Sequence, residues 1–189
     1  MSKSGWRPWP PPRLTGDELD RKAAIAQELP RLRRYARALL RDPSEADDLV
    51  QDCVARALER IAQWREDDDP RRWLFAIMHN LFIDQSRARR RRMRMAQVTA
   101  LAPGEAFDPP GQLDGLFFAD VMDALQALPE DRREALVLVG VEGLSYRDAA
   151  NVLGVPVGTL MSRLGRGRAQ LRALLGEQGR QPGHLRSVE

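Results

Sequence analysis

LSYRDAANVLGVPVGTLMSRLGRGRAQLRALL, residues 144–175, reads as two helices folded about a glycine. Ser145 is placed to cap the first, with Asp148 in the capping-box position three residues on. Gly154 suits the left-handed residue that ends a helix, and Pro156 bars continuation. A second helix opens at Thr159 or just before it, with Leu160, Leu164, Leu171 and Leu174 inward. Ala149 and Ala150 are small enough for the two helices to cross closely, and Val155 and Leu160 seal the angle. The outward face of the second helix carries Thr159, Ser162, Arg163, Arg166 and Arg168. A short helix, a tight turn and a second helix with a polar, basic face form a helix-turn-helix, whose second helix enters a major groove. A generic helical hairpin explains the leucines but neither the small-residue crossing nor the basic face, so DNA reading is preferred.

The 3.6-residue periodicity continues upstream and no stretch alternates as a strand does, so the expected class is all-α. In DPSEADDLVQDCVARALERIAQW, residues 42–64, Ser44 is the expected cap, and Leu49, Val50, Cys53, Val54, Ala57, Leu58 and Ile61 form one apolar face. In DPRRWLFAIMHNLFIDQSRARRRR, residues 69–92, Asp69 is the expected cap and Pro70 the first helical residue. Trp73, Leu74, Ile77, Met78, Leu81 and Phe82 form its stripe. Leu32, Tyr35, Ala36, Leu39 and Leu40 predict a further helix opening at Pro30. Two small helical domains follow: a bundle over 20–94 and a helix-turn-helix domain over 116–176. A Pro/Gly linker over 95–115, with three acids and no basic residue, joins them. Residues 1–19 read as a flexible Pro-rich lead-in and 177–189 as a flexible tail.

Charge is distributed unevenly. The 189 residues hold 30 basic and 27 acidic side chains with a pI near 9.6, and all but Lys3 and Lys22 of the bases are arginines. Six arginines fall within Arg87–Arg94. Because that run continues a periodic helix, it reads as a helix end that grips phosphates, with fraying expected beyond Arg92. Several functions are disfavoured. No apolar run approaches the roughly 20 residues of a membrane span, and the N-terminus lacks the apolar core of a secretory signal. The single cysteine, Cys53, lies in an apolar stripe and reads as a buried thiol, which fits a reducing cytoplasm. His79 and His184 show no metal-ligand spacing with Cys53, and there is no phosphate-cradling glycine loop or nucleophile elbow. No metal, cofactor or catalytic residue is expected; the acids at 45–52 read as helix-start and surface charge.

The segments RLRRYARALLRDPSEADDLVQDCVARAL (31–58), WLFAIMHNLFIDQSRARRRR (73–92) and ALPEDRREALVLVGVEGLSYRDAANVLGVPVGTLMSRLGRGRAQLR (127–172) resemble an extracytoplasmic-function (ECF, group IV) sigma factor of bacterial RNA polymerase, in the sigma-70 family. The resemblance covers about residues 24–175 and rests on three motifs in order around the linker. It implies a sigma2-like domain, a sigma4-like domain and core RNA polymerase as partner, through the β′ clamp helices and the β flap. Asp48, Gln51, Asp52 and Arg56 would face the clamp helices. Trp73, Asn80, Asp84, Arg87, Arg90 and Arg91 would meet the −10 element, a flipped non-template base being captured in the loop before Trp73. Tyr146, Thr159, Ser162, Arg163, Arg166 and Arg168 would read the −35 duplex. The linker would thread toward the RNA exit path, and an anti-sigma factor would hold the protein inactive.

Three departures from the family pattern bear on promoter choice. Met161 stands where arginine is common, and Gly165 and Gly167 where larger residues are usual; two interior glycines cost about 1 kcal/mol each, predicting a helix that completes its order on DNA. The loop QWREDDDPRRW, residues 63–73, is more acidic than the common form. The rival is a stand-alone helix-turn-helix regulator of duplex DNA, which gives an acid-capped helix and an arginine-ended helix no role. A non-DNA adaptor leaves the helix-turn-helix unexplained.

Overall fold

The computed structural model describes residues 16–64, 68–96 and 113–178, and among them it is all-α. The first block is α1 (Gly16–Leu39), α2 (Pro43–Glu59), a 3-10 turn (Ile61–Gln63) and α3 (Pro70–Ala96). The second is α4 (Leu113–Gln126), α5 (Glu130–Leu136) running into a π turn (Val137–Val141), α6 (Tyr146–Val152) and α7 (Val157–Gln178).

In the first block, α1 does not open at Pro30. It starts fourteen residues earlier and carries the proline in its interior. Ile25, Leu32, Ala36 and Leu39 recur at helical spacing and are all buried. Helices in proteins take most of their stability from packing such a face, which here offsets the hydrogen bond that proline removes. The cap of α2 also differs from expectation. Asp42, not Ser44, accepts the Ser44 and Glu45 amides, at 2.7 and 3.4 Å. Pro43 holds Asp42 in extended backbone and takes the first helical position, where its missing N–H costs nothing. Asp69 does cap α3, accepting the Arg71 amide at 2.9 Å. That helix runs to Ala96 without stopping at Arg92, consistent with arginine's good helix propensity.

Ala46, Leu49, Val50, Cys53 and Ala57 of α2 are buried between α1 and α3, while Leu58, expected on the same face, is 40% exposed. Tyr35 meets Phe75 edge to face at 5.1 Å, and the Cys53 thiol donates to the Leu74 carbonyl at 3.6 Å. Each large side chain sealed here contributes on the order of 1.5–3 kcal/mol.

The turn between α6 and α7 forms as its residues require. Gly154 sits at φ +61°, donating to the Asn151 carbonyl at 3.2 Å, while Val155 N–H reaches the Ala150 carbonyl at 3.0 Å. This is the Schellman pair of bonds that closes a helix C-terminus. Before it, Gly143 at φ +70° turns the chain out of the π segment, and the Ser145 hydroxyl accepts the Asp148 amide at 3.1 Å. α7 runs unbroken through both of its suspect glycines. Gly167 has a packing reason: a Cβ there would lie 3.0 Å from Leu136 Cδ1.

The two blocks dock by capping a helix. The last carbonyls of α1 lack intrahelical partners, and the second block supplies donors. Gln126 Nε2 reaches the Arg37 and Ala38 carbonyls at 3.2 and 2.9 Å, and Arg133 Nη1 reaches the Leu39 carbonyl at 2.6 Å. Arg133 also donates to the Gln126 side chain and the Leu128 carbonyl. Burial lowers the pKa of its guanidinium, with Glu130 and Glu134 opposing.

Candidate nucleic-acid and polymerase interfaces

The residues expected to meet polymerase share one surface. Asp48, Gln51, Asp52 and Arg56 are all exposed on α2, opposite the side buried by Leu49, Cys53 and Ala57. Their local pairings are loose: Asp52 accepts Gln85 Nε2 at 3.2 Å, and Arg56 lies 3.6 Å from Glu59. A single-sided core leaves this acidic face available for a partner.

On α3 the expected −10 residues separate into two stripes. Trp73, Asn80, Asp84, Arg87 and Arg91 recur at spacings of 7, 4, 3 and 4 and lie along one side. Arg90 does not join them; it pairs with Glu130 at the start of α5. At the other end of α3, Arg72 bridges Asp68 at 2.8 Å and Asp148 of α6 at 3.3 Å. The Ser145 hydroxyl, and next Arg72, hold the Asp148 carboxyl below the usual carboxylate range. Residues 65–67 of the expected base-capturing loop lie outside the described residues. Its flanks show an element the sequence reading missed: the Trp64 and Trp73 rings stack at 6.0 Å with a 16° interplanar angle. The Trp64 indole N–H donates to the Asp68 carbonyl at 2.9 Å, spanning the loop. Two tryptophans nine apart were the available signal.

In the helix-turn-helix, Tyr146, Thr159, Ser162, Arg166 and Arg168 are exposed. Arg163 is half-turned inward, its Nε 3.3 Å from Asp131 of α5. The Ser162 hydroxyl donates to the Gly158 carbonyl at 3.0 Å. The first turns of α7, where a recognition helix contacts base edges, therefore present fewer polar groups than the sequence alone indicates.

Between the blocks lies a cleft of about 720 Å³ lined by residues that include His79, Ile83, Arg90, Glu130, Glu134 and Arg163. At its base Glu134 is nearly sealed from solvent, 2.7 Å from His79 Nδ1 and accepting the Tyr35 hydroxyl at 3.4 Å. Burial, reinforced by Glu134, pushes the Tyr35 phenol well above its ordinary pKa, so it remains a donor. Glu142, whose side chain is fully buried, receives Arg34 through two bonds of 2.8 Å. That hydrogen bond raises the Arg34 pKa. None of these cross-block pairs was anticipated: the partners lie 55, 99 and 108 positions apart in sequence and no local pattern connects them.

Two helical modules are thus present in order, an arginine-ended bundle followed by a helix-turn-helix, and this is the architecture of the sigma-70 class. A family model described as the Sigma2 domain of PhyR matches residues 25–79, and one described as Sigma-70, region 4, matches 118–171. The ECF RNA polymerase sigma factor EcfG of Rhodopseudomonas palustris (strain TIE-1) is 42% identical over 151 residues, 80% of this chain and 82% of that protein. The chain belongs to the family of ECF RNA polymerase sigma factors. SigC of Mycobacterium tuberculosis, an ECF RNA polymerase sigma factor, is 37% identical over 139 residues, covering 72% of this chain and 73% of that one. Among solved structures, the sigma factor RpoE in complex with the anti-sigma factor NepR from Bartonella quintana superposes with a TM-score of 0.74 at 35% identity, covering 83% of this chain and 97% of that one. CnrH in complex with the cytosolic domain of CnrY gives a TM-score of 0.64 at 29% identity, covering 86% and 91%. The stand-alone regulator is not favoured. Among the described residues no helix is long and apolar enough to cross a membrane.

Proposed function

We propose that this sigma factor binds core polymerase through the exposed face of α2 and the β flap through its second block, and directs initiation at promoters read at two elements. In this reading the stripe from Trp73 to Arg91 meets the −10 element as opened strand, and α7 meets the −35 element as duplex. Arg87 and Arg91 neutralise phosphates, which sets affinity and salt dependence; Arg166 and Thr159 address base edges. The chain contributes no catalytic group, and the polymerase performs the chemistry in the cytoplasm. One observation carries the reading. Each block exposes its own stripe of residues expected to face nucleic acid, on α3 in the first and on α7 in the second, so each can engage a separate promoter element.

Engaging both elements requires the blocks to part, which breaks Arg90–Glu130, Arg72–Asp148 and Arg34–Glu142. Polar, hydrogen-bonded domain contacts of this kind are reversible by nature. An anti-sigma factor that binds the docked form would hold the protein inactive, and the RpoE structure, solved in complex with the anti-sigma factor NepR, supports this. Run-off transcription from a genomic fragment pool with purified core polymerase tests the reading. Discrete starts sharing −35 and −10 sequences, dependent on this chain, are expected. No starts, with tight duplex binding in the absence of polymerase, would overturn it.

A further inference from the structure

The outward face of α7 raises a question about what it reads. Of the seven large hydrophobic side chains exposed among the described residues, Tyr146, Val157 and Met161 belong to the helix-turn-helix. Val157 and Met161 lie on α7 itself, four residues apart and so one turn above the other. They are 42% and 54% exposed. A single exposed apolar residue is ordinary on a protein surface. Here two are stacked on the part of a recognition helix that reaches base edges. The polar residues beside them are partly occupied, Arg163 by Asp131 and the Ser162 hydroxyl by the Gly158 carbonyl. The same helix-turn-helix exposes arginines at 147, 166 and 168, positive charge that suits a phosphate-lined groove rather than an apolar partner.

The major groove offers one apolar group that carries sequence information, the C5 methyl of thymine. An arginine at the same position would instead seek the O6 and N7 acceptors of guanine. Methionine, unbranched and polarisable, adapts its contact surface readily to a methyl group. We infer that Met161, backed by Val157, is a specificity-determining residue that selects a T–A pair in the −35 element by apolar contact with the thymine methyl. The inference rests on the promoter-reading role of α7 proposed above and names the chemistry of one contact within it.

The test uses the full chain with core polymerase on templates randomised across the −35 region, with the transcribed templates sequenced. For the wild-type chain, one −35 position should select thymine. Met161→Ala should lose selection at that position alone, and Met161→Arg should move it toward guanine. Replacing that thymine by deoxyuridine removes only the methyl group. It should reduce run-off by about fourfold with the wild-type chain, the worth of one buried carbon, and leave Met161→Ala unaffected. Because Met161 is exposed, neither substitution threatens folding, and unchanged core-polymerase binding by both variants serves as the control. A selected −35 sequence that is indifferent to Met161→Ala and to deoxyuridine overturns this inference alone. Failure of the wild-type chain to select any −35 sequence overturns the promoter reading and this contact with it.

Discussion

Two glycines two positions apart on α7 should respond unequally to the same substitution. Alanine is favoured over glycine in a helix interior by about 1 kcal/mol. Gly165 is exposed with nothing within 4 Å of a built Cβ, so Gly165→Ala should gain most of that. Gly167 is buried, and its Cβ would lie 3.0 Å from Leu136 Cδ1, 3.2 Å from Leu136 Cγ and 3.4 Å from Arg132 Cβ. Leu136, the last residue of α5, is itself 8% exposed and packs against α7, so it must shift within a packed core. Overpacking of this kind costs about 1–3 kcal/mol, which cancels or exceeds the propensity gain. The two variants should therefore differ by about 1 kcal/mol or more, with Gly165→Ala the more stable. For a chain of this length the Gly165→Ala gain corresponds to a Tm rise of about 2–4 °C. Urea and thermal unfolding followed by far-UV circular dichroism, with the wild type alongside, measure both. Equal stabilisation by the two substitutions would refute the close α5–α7 approach as the reason for Gly167.

Other expectations concern DNA, the thiol and the docked blocks. Arg166→Ala should weaken −35 binding selectively, and Arg91→Ala should lower promoter affinity with a shallower salt slope; equal losses of Arg166→Ala on random and promoter DNA, or an unchanged slope for Arg91→Ala, would argue against these roles. Burial pushes the Cys53 thiol from 9.0 up to about 12, so the folded protein should resist alkylation at neutral pH and react only on unfolding. Because that pKa is raised, the stability it contributes is complete below the unfolded value and fades as pH rises from about 9 toward 12. Glu134→Ala removes the acceptor shared by His79 and the Tyr35 hydroxyl and should weaken docking of the blocks by about 1–3 kcal/mol, seen as a larger radius of gyration in small-angle scattering; an unchanged radius would show that the other cross-block pairs suffice.

Much of this protein was legible in its residues because the relevant physics is local. Ser145 caps α6, Asp69 and Pro70 start α3, and Gly154 ends α6 in the left-handed region, since each acts on backbone groups within a few positions. The buried faces of α2 and α3 followed from periodicity in the same way. Other choices needed the assembled structure. Pro30 rests inside a helix because packing of Ile25, Leu32 and Leu39 on α2 and α3 outweighs its local cost. Gly167 is explained by Leu136, and Arg163 is drawn aside by Asp131. Arg133 caps α1 from 94 positions away, and Arg34 meets Glu142 across 108. By itself the sequence determined that the chain is helical, the caps of α3 and α6 and the helix-turn-helix, because a helix is written in contacts between near neighbours. Only the tertiary structure decided how the two blocks clasp and which arginines remain open to DNA, because charges pair through space, with whatever the fold brings within reach.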